Sequence, residues 1–190
     1  MKILNKVHMF LKKLSPFWFV ITITLLTYIC FIPFMHFFQN YDIGEPNCLP
    51  KLSFIGKIVA GSIFIPLLET FIFQYLIIEF SNNIKLLKNN NFAIIIISAI
   101  AFGLSHNYSF LYIFYASIIG LFLAYSYIIY KKKNFSPFLI VTLIHSLRNT
   151  ITTIIISFFN IFKYSNNCFM NGYLILWYRT KFDYNFNSAK

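Results

Sequence analysis

Long apolar runs divide this chain, and lysines mark where several of them stop. The runs cover residues 17–38, 54–80, 92–106, 110–130 and 135–159. A bilayer core is about 30 Å thick, and a helix of about 20 apolar residues crosses it. Lipid offers the backbone no hydrogen-bond partner, so a segment of this kind closes its bonds on itself as a helix. The expected fold is all-α: a polytopic membrane helical bundle with about five transmembrane helices. Only 11% of residues are charged and 58% are hydrophobic. That balance excludes a disordered chain, a coiled coil and a water-soluble enzyme with a solvated surface.

The first run is too long for the apolar part of a signal peptide, and no small-residue cleavage site follows it. It reads as an uncleaved span. The second run contains Pro66, and the expectation is a short helix into Pro66 with a better-formed helix starting there. A later apolar stretch, 172–178, is too short to span and reads as re-entrant or interfacial. Three parts follow: an N-terminal segment with the first span and an external linker (1–53), a helical core (54–160), and a C-terminal tail (161–190).

The net charge of +11 does not imply a nucleic-acid partner. The cations sit in short clusters between apolar runs, with no continuous basic face. Lys2, Lys6, Lys12, Lys13, Lys85, Lys88 and Lys131 to Lys133 fall on one side of the expected bilayer. The positive-inside rule therefore puts the N-terminus in the cytoplasm. A composition rich in Asn, Ile, Lys, Phe and Tyr fits a bacterial inner membrane. Cys30, Cys48 and Cys168 show no metal-ligand spacing; Cys48 and Cys168 either pair or stay free.

Ionisable residues inside apolar runs are costly and informative. Glu69, His106, His145 and Arg148 lie away from run ends, with Asn149 beside them. At about 1.5 Å per residue, Glu69 lies roughly 16 Å deep, His106 roughly 21 Å, and His145 and Asn149 roughly 15 and 21 Å. Three helices thus offer a carboxylate, two imidazoles and an amide in one layer. His145 and Asn149 are four apart and share a helix face, as do Phe102 and His106. Such a set can activate water and bind an oxyanion, or hold a metal through Glu69, His106 and His145. Each residue also has a structural reading: helix pairing for Glu69, a loop-facing His106, and interhelical bonding for His145 and Asn149. Glu79 sits at a run end and reads as a wet interfacial carboxylate.

Three segments carry a family resemblance. They are Pro66-Leu67-Leu68-Glu69-Thr70-Phe71-Ile72-Phe73-Gln74, then Phe102-Gly103-Leu104-Ser105-His106, then His145-Ser146-Leu147-Arg148-Asn149. In order and placement they resemble the CPBP family of CAAX protease and bacteriocin-processing membrane proteins, whose motifs are EExxxR, FxxxH and HxxxN or HxxxD. The resemblance implies an intramembrane endopeptidase acting on membrane-associated protein or peptide substrates. It assigns Glu69 and His106 to water activation, and His145 and Asn149 to the oxyanion. A glutamate mechanism with no cofactor is the preferred expectation; a zinc-dependent variant is the other one. The sequence departs from motif one at Thr70 and Gln74, where the family has Glu and Arg. An uncharged pair that can still hydrogen-bond replaces a charged one. Arg148 belongs to no family motif, and it either restores the missing cation beside Glu69 or reaches for a lipid headgroup.

Two other functions compete. One is a catalytically inactive relative acting as a bacteriocin-immunity or membrane scaffold protein. The other is a transporter subunit using the polar layer as a relay, against which stands the absence of an internal repeat.

Overall fold

The computed structural model describes residues 2–32, 52–88 and 90–165, with side chains for 5–32, 52–88 and 90–158. Within them the chain forms helices α1 (Lys2–Lys13), α2 (Pro16–Ile29), α3 (Phe54–Asn83), α4 (Asn91–Leu104), α5 (Phe110–Tyr130) and α6 (Pro137–Ser165). No strand occurs among the described residues. The molecule is a helical membrane bundle. The helices α3, α5 and the 137–158 part of α6 are each long and apolar enough to cross a membrane. The other two apolar helices, α2 and α4, have 14 residues each. At about 1.5 Å per residue that is roughly 21 Å, short of the core thickness. The remainder of the first apolar run, Cys48, Cys168 and the 172–178 stretch lie outside the described residues.

Local chemistry sets the starts of three helices. Ser53, Asn90 and Ser109 accept hydrogen bonds from the backbone N–H groups of Gly56, Ala93 and Tyr112. Each caps an otherwise orphaned donor. Helix α1 is a feature that a search for uncharged runs passes over. Its apolar residues are interleaved with lysines, so Leu11 is buried while Lys6, Lys12 and Lys13 are exposed. His8 Nδ1 lies 2.8 Å from the Tyr125 hydroxyl, which ties α1 to α5. Partial burial, then Lys12 and Lys132, lowers the pKa of His8.

Helix α5 runs through the centre. Leu123, Tyr127 and Tyr130 are buried there against Phe19 and Ile23 of α2, Ile94 and Phe102 of α4, and Val141 and Ile144 of α6. Large apolar side chains at Phe17, Ile55, Phe80, Phe92 and Phe110 face outward, as lipid-facing residues do. Glycine allows α4 and α5 to approach closely. A Cβ on Gly103 would fall 2.8 Å from the Ile113 carbonyl oxygen, and one on Gly120 would fall 3.0 Å from the Ala99 Cα. Small residues at such crossings are how membrane helices pack without a hydrophobic driving force.

The expected break at Pro66 is corrected. Proline does not start a helix here; α3 continues through it for 30 residues. Two π-helical stretches, Ile58–Phe64 and Thr70–Leu76, flank the short α-helical segment that holds Pro66. Proline cannot donate an N–H to the preceding turn. The wider turn before it, with Ile65 N–H bonded to the Ala60 oxygen, keeps the helix continuous.

One end of the bundle gathers the lysines. Lys131 Nζ lies 2.6 Å from Glu79 Oε2, and the Tyr127 hydroxyl donates to Glu79 Oε1 at 3.0 Å. Lys133 Nζ donates to the Leu14 carbonyl at 3.4 Å and sits over the Tyr130 ring. The end of α1, the end of α3 and the end of α5 therefore share one face of the bundle.

Candidate active site

Glu69 sits midway along α3, between its two π-helical stretches. Its carboxylate faces two imidazoles. His106 Nε2 lies 3.5 Å from Oε1, and His145 Nε2 lies 3.5 Å from Oε2. Direct N–H···O bonds are shorter, about 2.7–3.2 Å. His145 comes from the buried face of α6 and is 3% exposed. His106 lies just past the end of α4, since the helix stops at Leu104 rather than running to the end of the apolar stretch.

The break in α4 does not turn His106 away from the bundle. Its Nδ1 lies 2.8 Å from the Phe102 carbonyl oxygen and 3.0 Å from Ser105 Oγ. A carbonyl can only accept, so Nδ1 carries the proton and the neutral ring keeps its lone pair on Nε2. The Tyr112 ring stacks on His106, and the Phe102 ring packs against both His106 and His145. These rings fix the imidazoles by their faces.

Asn149 lies one turn beyond His145 on α6, and its Nδ2 donates to the Gly61 carbonyl at 2.9 Å. Glu69, His106, His145, Arg148 and Asn149 line one cavity of about 170 Å³, together with Phe102, Tyr108, Tyr112 and Tyr115. The structure thus brings together the four residues expected to form a site, and Arg148 with them.

The supporting residues behave differently. Thr70 and Gln74 are fully buried, yet Thr70 Oγ1 and both amide atoms of Gln74 have no hydrogen-bond partner among the described residues. The expected bond between them does not form. They lie in a π-helical stretch, where turns close on the fifth residue rather than the fourth, so residues four apart no longer stack. Arg148 is buried, and its guanidinium donates to the Tyr115 hydroxyl and stands over the Tyr28 and Tyr115 rings. It makes no ion pair with Glu69. Glu79, bonded to Tyr127 and Lys131, sits at the lysine-bearing end of the bundle, away from the cavity.

Among the described residues no three His, Cys, Asp or Glu side chains converge as a metal-binding group. Zinc needs its ligands at about 2.0–2.2 Å. Two ligands that far from one tetrahedral ion stand about 3.4 Å apart, close to the 3.5 Å that separates the Glu69 carboxylate from each imidazole.

A model of the family described as type II CAAX prenyl endopeptidase Rce1-like matches residues 51–151. That is more than half of the 190-residue chain. The chain belongs to the Rce1-like family. The match spans α3, α4, α5 and the first half of α6, and so takes in every residue of the cavity. Membership makes this an integral membrane protein of an endopeptidase family. No curated protein and no solved structure matches the chain.

Several residues of this Rce1-like site escape a reading of the sequence. Tyr108, Tyr112 and Tyr115 all line the cavity. Tyr112 and Tyr115, three apart, share one face of α5, which is a usable signal, while Tyr108 stands in the turn before that helix. In a chain with 13 tyrosines and 25 phenylalanines it carries little contrast. Gly61 enters only through its carbonyl, which no side-chain pattern announces.

Proposed function

We propose that this protein hydrolyses a peptide bond at or within the membrane. Glu69 and His106 activate the attacking water, and His145 and Asn149 stabilise the oxyanion. One observation carries the reading. The Nε2 lone pair of His106 faces a Glu69 carboxylate oxygen at 3.5 Å, with the Nδ1 proton committed to Phe102. With Glu69 ionised, two acceptors face each other. A water that donates one hydrogen to each satisfies both and turns its oxygen toward a substrate carbonyl.

The rest of the cycle follows from the same groups. As water attacks the carbonyl carbon, its proton passes to Glu69. The amide of Asn149 has two N–H donors, of which Gly61 takes one, and the second is free for the oxyanion. The carboxylate beside His145 Nε2 favours a proton on that nitrogen, making it a second donor. Glu69 then returns its proton to the departing amine.

The scheme routes no step through a metal, so a chelator is expected to leave activity intact. The substrate is a membrane-associated protein or peptide; the richness in Asn, Ile, Lys, Phe and Tyr supports a bacterial cytoplasmic membrane, and the lysine asymmetry supports an N-terminus inside it. A second reading, a catalytically inactive relative acting in bacteriocin immunity or as a membrane scaffold, draws support from the unpartnered Thr70 and Gln74.

The deciding experiment compares new peptide termini in membranes holding equal amounts of wild type or Glu69→Gln. Termini that appear only with wild type support hydrolysis and identify the bond. Identical terminal profiles with both proteins folded would move the assignment to the inactive relative.

A further inference from the structure

Among the described residues, Arg148 is a buried cation with no negative partner. It is 6% exposed and lines the cavity beside Glu69, His106 and His145. Among the described residues Glu69 faces the two histidines and Glu79 pairs with Lys131, and neither carboxylate is within ion-pair distance of Arg148. Its Nε is buried without a partner. A buried guanidinium left unpaired is costly, and the planar fork of five N–H groups matches a carboxylate.

The surroundings hold the group in place without neutralising it. The Tyr115 hydroxyl accepts from Nη2, and the Tyr28 and Tyr115 rings lie 5.2 and 5.3 Å from Cζ. The Tyr28 hydroxyl donates to the backbone carbonyl of Arg148 at 2.6 Å. Three helices, α2, α5 and α6, thus meet to position one cation at the wall of a site that works on peptides. Arg148 belongs to none of the three sequence motifs, and the water-activating steps do not use it.

We propose that Arg148 is the subsite for a carboxylate of the substrate peptide, next to the bond that the Glu69-activated water attacks. The assignment rests on the hydrolytic reading of the same cavity. Size limits what carries the carboxylate. The cavity is about 170 Å³, and an engineered cavity of about 150 Å³ takes one benzene. Roughly one residue fits, so the carboxylate belongs to the residue at or beside the scissile bond. It is either the terminal carboxylate of a short departing fragment or an acidic side chain there.

The test uses full-length protein in detergent micelles and farnesyl-cysteine peptides that carry a fluorophore. One probe ends in a free carboxylate, the second is its C-terminal amide, and the third is an amide with glutamate beside the scissile bond. Wild type is expected to favour the free acid over the plain amide by about 10- to 100-fold in kcat/KM, the range of a charge-assisted bond. Arg148→Met is expected to erase that preference mainly through KM, and Arg148→Lys to restore part of it. If the glutamate-bearing amide regains the preference, the carboxylate comes from a side chain; if only the free acid shows it, it comes from the chain end. Equal handling of all three probes by wild type overturns the proposal. An equal loss of kcat on all of them in Arg148→Met, with KM unchanged, also overturns it and moves Arg148 to the oxyanion.

Should wild type hydrolyse none of the probes, the hydrolytic reading fails, and equilibrium binding of the acid and amide probes decides the subsite separately. Acid-selective binding that Arg148→Met abolishes keeps the anion site. Binding without that selectivity removes it.

Discussion

Asn149 has two N–H donors, and the Gly61 carbonyl takes one of them. Asn149→Ala removes both, so it costs the bond to α3 as well as the oxyanion contact. The expected outcome is a fall of about 10²–10³-fold in kcat, with KM little changed, measured on a cleavable peptide. Gln74 predicts the opposite kind of result. Both of its amide atoms are buried without partners, and each such group costs about 1–3 kcal/mol. Gln74→Leu is therefore expected to leave the protein as stable as wild type or raise its melting temperature in detergent. A drop in melting temperature would show that Gln74 has a partner after all. At this scale the sequence was most legible where a polar residue interrupts an apolar run. Glu69, His106, His145 and Asn149 stand out by their cost in lipid. The tyrosines around them do not, because an aromatic in an apolar helix looks like any other lipid-facing residue.

The contact of α4 with α5 sets where His106 can sit. Gly103 lies three residues before His106, and its α-carbon faces the Ile113 carbonyl and the Ser117 side chain. A methyl group at 103 meets backbone on that side, which cannot rotate away. Gly103→Ala is expected to cost about 1–3 kcal/mol of stability. It also forces α4 outward and widens the gap from His106 Nε2 to Glu69. Thermal melting and peptide cleavage on the same preparation check both effects, and retained activity at a lowered melting temperature would separate packing from site geometry. The elements were legible as far as hydropathy reaches. Helices α3, α5 and α6 follow from unbroken apolar length. Helix α1 was not found, because four lysines within twelve residues hide its apolar side. The course of α3 through Pro66 was also missed, since a proline signals a helix start only if the preceding turn is an ordinary α-turn.

For the whole molecule, the lysines at one end of the bundle give an orientation that can be measured. Ser136 is exposed in the turn between α5 and α6, at the lysine-bearing end. With the three native cysteines replaced, Ser136→Cys is expected to react with a membrane-impermeant maleimide only once the cytoplasmic face is opened. Labelling of intact cells would reverse the topology. The bundle, its membrane character and the shared depth of the polar layer were all readable from the chain. The depth argument succeeded because helical rise converts sequence distance into height with little dependence on packing. What it could not supply was the phase of α3, which decides which way Glu69 faces.

That phase has a consequence for how this chain can change length. A turn closed on the fifth residue holds one residue more than a turn closed on the fourth. Each π-helical stretch of α3 is therefore a place with a residue to spare. Loss of one codon within 58–64 is expected to tighten that turn and leave Glu69 and everything after it facing as before. The same loss inside α5 has no slack to absorb it, and would swing the rest of that helix by about 100°.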